Sequence, residues 1–490
     1  MINRERYFLL LIVFGSIALN FLNLPSSQLF FDDKEIFKYA GLVIYKGGVP
    51  YRDFFDHKPP LIYFFNALSW YSSLWIPWLL DTLLVLFATL LFYWLCKKSK
   101  LARPWILPFI FNLLIRYSLV SFGNGMTREY TAIFLLIFFC IMQGNAKYKF
   151  FLLGLLTGLS FWMQQDSLIT LAPFLFYSFY TSAESISIRF GKKALAMTTG
   201  FFIVSFPVIL YFSSHHSLSD LWNDAFLFNI HAPGANNGFL EKVRNSKHAV
   251  HEVEFEMAFY TSLILGIAGL FLKNKNPRLL YISILALIFS FSAEFLTGRM
   301  TPGSSFVYYL LPLAATIPIL VYVVFTESQV SFMQDKRAQL IFTIILSTTL
   351  FLGTLRYAAG FHFSENRQNE MSGVTGFEYL KTQSLSDYEL YVFDDTNLIY
   401  FYNYFGILSP SPWIYHYFWN WSTDWDADNK IFYSILSDLK VHNTRFILDC
   451  SAARNSFRKR PVYTEWEKFL LINYSLIIKD SSGRKLWRIQ

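Results

Sequence analysis

Residues 30–70, FFDDKEIFKYAGLVIYKGGVPYRDFFDHKPPLIYFFNALSW, carry Asp32, Asp33, Lys34, Glu35, Lys38, Lys46, Arg52, Asp53, Asp56, His57 and Lys58 between stretches that are almost wholly apolar. Carboxylates, a histidine and cations brought together beside apolar walls can move protons and hold anions. The plainer reading is a solvated loop whose charges keep it out of a membrane. Aromatic residues interleave with these charges, however, and an aspartate stands where the first apolar run ends. Both features favour chemistry.

The elements that would hold these groups can be read from their spacing. Ile36, Tyr39, Ala40 and Val43 recur at helical intervals, which predicts a helix over 33–46 lying in a membrane interface. GGVPY breaks it, and KPPLIYFFNALSW starts a second helix, because proline is tolerated in a first turn. Two surface helices would then bracket DFFDHK at the headgroup level.

The rest of the chain supplies the membrane. Of its 490 residues 54% are hydrophobic and only 16% charged, against about 25% charged in a soluble domain. The excess falls in eleven apolar runs, beginning at Tyr7, Leu74, Trp105, Tyr130, Phe150, Leu168, Ala194, Met257, Leu279, Val307 and Leu340. Several are shorter than the ~20 residues that cross a bilayer and would be tilted, extended by their flanks or partly inserted. The first reads as a retained anchor, since no small-residue cleavage site follows it. Cys96, Cys140 and Cys450 form no disulfide framework or metal spacing. The net charge of +8 sits in short loops between runs, which argues against a nucleic-acid partner.

Loop charge predicts the orientation. Alternate loops carry Lys97, Lys98, Lys100 and Arg103, then Lys147 and Lys149, Arg189, Lys192 and Lys193, Lys273, Lys275 and Arg278, and Lys336 and Arg337, with few acids. The opposite loops mix bases with Asp33, Asp53, Asp56, Glu129, Asp166, Asp220, Asp224 and Glu252. The positive-inside rule then puts the N-terminus in the cytoplasm and both 30–73 and 359–490 outside. In the tail, YELYVFDD, IYFYNYF and TRFILD read as strands, SLIIKDSSGRKLWRI as a hairpin and KIFYSILSDLK as a helix. The expected fold is a polytopic α-helical membrane protein of about eleven spans (1–358) with a C-terminal extracytoplasmic α/β domain (359–490).

Asp33 followed by AGLVIYKGGVPYRDFFDHKPPLIYFF resembles the first outer loop of the GT-C class of polyprenyl-phosphate-sugar-dependent glycosyltransferases. It is most similar to glycosyltransferase family 39, relatives of protein O-mannosyltransferases and of the lipid A aminoarabinose transferase. GNGMTREY from Gly123, GLLTGLSFWMQQ from Gly154, GRMTPGSSFVYYLLPLA from Gly298 and the tail add weaker echoes, so the resemblance covers the whole chain. Three features depart from the family's pattern. Asp33-Lys34 replaces an Asp-Glu pair, Gln164 stands where a lysine is usual, and Ser305-Phe306 where His-Tyr often precedes the late helix.

The resemblance implies an inverting glycosyltransferase, a hexosyl- or pentosyltransferase working on the outer face of a bacterial inner (plasma) membrane. The donor would be a polyprenyl-phosphate sugar, and the acceptor a lipid-linked glycan, lipid A or protein. No nucleotide-binding glycine motif is present, which fits a lipid donor. Such a transfer needs a base for the acceptor hydroxyl, negative charge near an oxocarbenium-like sugar and cations on the departing phosphate. Asp33 is assigned as base, with Asp32 one residue earlier as its rival. Glu129 is the second acid, orienting the acceptor or supporting a metal. Lys58 is the phosphate clamp, helped by Arg299 and His57. A divalent metal is left open as a cofactor, with no ligand set assigned. The alternatives are a polytopic transporter or lipid-glycan flippase, or a non-catalytic partner that kept the fold.

Other motifs carry less. DWDADN (424–429) lacks the glycine and glutamate of a calcium loop and reads as a solvated loop. His248, His251 and Glu252 have helical spacing for a metal but lack a third ligand. Asp81, near the outer end of a run, is expected to snorkel towards water. Trp413, Trp419, Trp421 and Trp425 suit either sugar stacking or a bilayer interface.

Overall fold

The computed structural model describes residues 4–21, 32–117, 125–180, 188–230, 255–271, 274–297, 310–328, 337, 374, 376–414, 416, 419, 426–452 and 457–490. Helices dominate: α1 (Arg4–Phe21), α2 (Asp32–Tyr45), α3 (Leu61–Tyr71), α4 (Trp75–Lys98), α5 (Ile106–Tyr117), α6 (Thr127–Gln143), α7 (Lys149–Met163), α8 (Ser167–Tyr180), α9 (Ile188–Ser214) and α10 (Leu218–Trp222). Helices Phe255–Leu270, Pro277–Thr297 and Leu313–Glu327 follow, then a small mixed domain near the C-terminus. Ten of the eleven apolar runs thus form helices, and the run from Leu340 lies outside the described residues.

Contacts divide the chain into two compact units. The first comprises 1–28, 78–208 and 236–361; the second comprises 29–77, 209–235 and 362–490. This is not the 1–358/359–490 division that composition suggests. The loop 30–73 packs with the tail because its apolar residues find their partners there. Two of the five cuts fall beside a proline, Pro77 in α4 and Pro207 in α9.

In the first unit α6 is buried on almost every side, and so is Leu313–Glu327. The helices around them turn apolar side chains outward, among them Leu83, Phe87 and Trp94 of α4 and Phe202, Ile203 and Phe206 of α9. Large contiguous apolar surface of this kind is rare on soluble monomers. Among the described residues two stretches, Trp75–Lys98 and Phe190–Ser214, are long and apolar enough to cross a membrane. The other apolar helices are shorter. The 12 residues of α5, for example, reach only ~18 Å at 1.5 Å per residue, against a core of ~30 Å.

In the second unit α2 lies on α3 so closely that a Cβ on Gly41 would stand 2.7 Å from the Ala67 nitrogen. Ile36, Tyr39, Ala40 and Val43 are buried. The face expected to meet lipid is therefore covered by protein. Helix α3 covers part of it, and the tail covers more: the Ser409 N–H donates to the Tyr39 hydroxyl (2.8 Å), whose ring lies 5.2 Å from that of Tyr402. Helical periodicity reports an apolar face without saying what meets it, and for α2 protein does.

The tail builds one four-stranded sheet in the order β1-β2-β4-β3, from β1 (Leu390–Phe393), β2 (Phe446–Asp449), β3 (Tyr474–Lys479) and β4 (Lys485–Ile489). β1 and β2 are parallel, with Leu390 opposite Phe446. β4 is antiparallel to both β2 and β3. The expected hairpin turns at 480–483, and KIFYSILSDLK is the helix Lys430–Val441. IYFYNYF departs from expectation, forming the helix Tyr400–Phe405 capped by Gly406 at φ 64°. Its aromatic residues have strand propensity, but Tyr400, Phe401 and Tyr402 are all buried here in helical geometry, so packing overrides propensity.

Candidate functional site

In the second unit the link between α2 and α3 is a fixed structure rather than a solvated loop. Phe54 and Phe55 are buried, and with them Asp56, His57 and Lys58 at 0%, 2% and 6% exposure. Gly47, at φ 86°, makes the first turn. Asp53 then closes a loop by accepting the Val49 N–H (2.6 Å) and pairing with Arg52 (2.7 Å), a turn-forming role. Tyr51 occupies the left-handed region at φ 70°, which costs energy for a bulky side chain. That conformation lets its hydroxyl donate to the Lys58 carbonyl at 2.5 Å.

The backbone of 56–58 is gripped from several directions. One Asp56 oxygen accepts the His57 N–H (2.7 Å) and the other accepts the Tyr63 hydroxyl (2.7 Å). The Asn229 amide donates to the His57 carbonyl (2.6 Å), and the Phe228 ring lies 5.6 Å from the imidazole. Lys58 extends its ammonium to within 3.3 Å of Asp33 Oδ2 and 5.3 Å of the Phe37 ring centre. Asp33 and Lys58, assigned from the sequence as base and phosphate clamp, thus form an ion pair whose side chains are 12% and 8% exposed. His57 is adjacent, with Nδ1 3.4 Å from Asp56.

Two acids that the sequence reading left without a role belong to this cluster. Burial raises the pKa of Asp56, opposed by Lys58 and by the Tyr63 hydrogen bond. Asp224 is pushed up to about 8, first by burial and then by Asp220 and Asp56. It lies in a π-helical turn, Asn223–Leu227, just ahead of Phe228 and Asn229. Such turns are often found at functional sites. Nothing in the spacing of SDLWNDAFLFN marks Asp224; only the fold brings it near Asp56.

Glu129 lies in the first unit and is fully buried. Arg116 pairs with it and also with Asp81, while the second Glu129 oxygen accepts the Gly125 N–H at 2.8 Å. Asp81 does not snorkel: it is 2% exposed, because Arg116 supplies the partner that water would otherwise be. Arg116 was the available signal, since an arginine inside an apolar run demands a counter-charge. Next along α6, Arg128 pairs with Asp166 (2.6 Å) and Thr127 donates to Gln164 (2.7 Å).

The remaining candidates divide by where they fall. Arg299 and the His248–Glu252 motif lie outside the described residues, as do Trp421 and Trp425, and Asp32 is described only as the first residue of α2. Asp426 is not solvated; it accepts Trp419 Nε1 (2.9 Å) and the Ile431 N–H (2.9 Å) and so fixes the start of a helix. Trp419 is buried against His416 and Phe457, which leaves little of its ring to stack on a ligand. Trp413 packs against Phe55 at 5.1 Å. Among the described residues no group of three His, Cys, Asp or Glu is placed to hold a metal.

No protein-family model matches the chain, and no curated protein matches it.

Proposed function

We propose that the chain is an integral-membrane inverting glycosyltransferase of the GT-C type, resembling family 39 and crossing a bacterial inner membrane about eleven times. The N-terminus is cytoplasmic, and the second unit works on the outer face. The observation that carries this reading is the 3.3 Å approach of Lys58 to Asp33, among aromatic walls and with the lysine's backbone clamped. A carboxylate and an ammonium so placed match what transfer from a lipid phosphate requires. The acceptor oxygen forms a bond to the anomeric carbon while the bond from that carbon to the phosphate oxygen breaks. The hydroxyl proton passes to Asp33, and the bonding electron pair leaves on the polyprenyl phosphate, held by Lys58. The outward apolar side chains of α4 and α9 support the membrane setting.

Transfer of radiolabelled sugar from defined polyprenyl-phosphate donors by the purified protein is the direct test. Lipid-linked glycan, lipid A and peptide acceptors should each be offered, and labelled product from one of them is the expected result. A second reading, a transporter or lipid-glycan flippase, draws on the buried Asp81–Arg116–Glu129 triad, since intramembrane charges often mark a transport path. Translocation of a labelled lipid-linked glycan in proteoliposomes without any sugar transfer would favour it.

A further inference from the structure

We propose that Asp33 is the resting counter-ion of Lys58 and that the lipid phosphate replaces it, so that the donor itself frees the carboxylate to accept a proton. This rests on the glycosyltransferase reading above and adds an order of events to it.

The geometry supports an exchange rather than a permanent bridge. The main chain of Lys58 is held independently of Asp33: its own carbonyl accepts from Tyr51, and the preceding carbonyl from Asn229. The Asp56 carboxylate holds the His57 N–H, one peptide unit earlier. The lysine stem therefore starts from a fixed point when the ammonium changes its partner. Asp33 comes from a different element, the first turn of α2, and its side chain keeps 12% exposure. While the pair holds, the ammonium competes with an incoming hydroxyl for the Asp33 carboxylate.

A phosphodiester donor brings about one negative charge, enough to compete with one carboxylate. As the sugar–oxygen bond breaks, the charge on the departing phosphate rises towards two. Lys58 is then drawn to the phosphate as the hydroxyl proton is lost, so leaving-group departure and release of the base proceed together.

Binding of farnesyl phosphate to the full-length protein in detergent tests the exchange. Asp33→Asn removes the competing charge, so it should bind this probe on the order of tenfold more tightly than wild type, a difference of about 1.4 kcal/mol. Asp33→Glu keeps the charge and should stay near wild type, which controls for packing. Lys58→Ala should weaken binding by at least tenfold. Equal or weaker binding by a folded Asp33→Asn, with Lys58→Ala still impaired, overturns the exchange and leaves the phosphate site standing. If Asp33→Asn does not fold, Asp33→Glu decides: a tenfold change in either direction rejects the exchange. Wild-type binding unaffected by Lys58→Ala rejects both the exchange and the phosphate-clamp assignment beneath it.

Discussion

The Asn403 side-chain amide donates to both the carboxylate (2.7 Å) and the backbone carbonyl (2.8 Å) of Glu35, 368 residues away. Both residues are buried. The contact fastens the first turns of α2, two residues from Asp33, to the tail. Asn403→Ala leaves a buried carboxylate without this donor and should cost about 1–3 kcal/mol. Thermal unfolding should show a lower Tm, with sugar transfer reduced as Asp33 loses its support. An unchanged Tm would show that the link carries no weight.

Asp33 and Asp32 are adjacent on α2, and one helical residue is a rotation of ~100°, so both cannot face one reacting oxygen. Asp33→Asn preserves size but cannot take a proton. Transfer should slow by ~10²–10⁴-fold, the usual worth of a general base, without weaker phosphate binding. Asp32→Asn should cost much less. Single-turnover rates on purified variants decide, and a dead Asp32→Asn beside an active Asp33→Asn would move the base by one residue.

Asp224 predicts a pH dependence with a definite sign. Its pKa is pushed up to about 8, by burial first and then by Asp220 and Asp56. An unfolded aspartate titrates near ~3.9. Between those values the folded chain keeps a proton that the unfolded chain has released, so this contribution falls as pH rises. It is fully present below about pH 4 and lost by the time pH passes about 8. Asp224→Asn, which needs no proton, should gain on wild type from pH 5 to 8, reaching on the order of 1–3 kcal/mol. Unfolding temperatures measured across that range should diverge. Parallel curves would mean that Asp224 stays ionised.

The charge asymmetry of the loops predicts sidedness. Alkaline phosphatase fused after residue 370 should be active, and a fusion after Lys98 inactive. The reverse pattern would put the Asp33–Lys58 cluster on the cytoplasmic side and end the lipid-donor reading at the outer face.

The sequence by itself determined α2, α3 and the sheet strands of the tail, though it also read IYFYNYF as a strand and missed the helical turns over 218–230. Apolar periodicity and the Gly-Gly and Pro-Pro breaks carry that information locally. It also singled out Asp33 and Lys58, whose types and setting in an apolar chain were visible without coordinates. Tertiary structure alone decided what those elements touch. Periodicity shows that α2 has an apolar face, but α3 and the tail, rather than lipid, cover its Ile36, Tyr39, Ala40 and Val43. The loop 30–73 belongs with a tail more than three hundred residues further on, and no local pattern encodes such a pairing. Charge is as ambiguous as hydrophobicity: Glu129 and Asp33 look alike in the sequence. Arg116 holds Glu129 inside a buried triad with Asp81, while Asp33 pairs with a lysine whose backbone carbonyl is itself held. Burial and partners, which set the energy of a charge, belong to the folded chain.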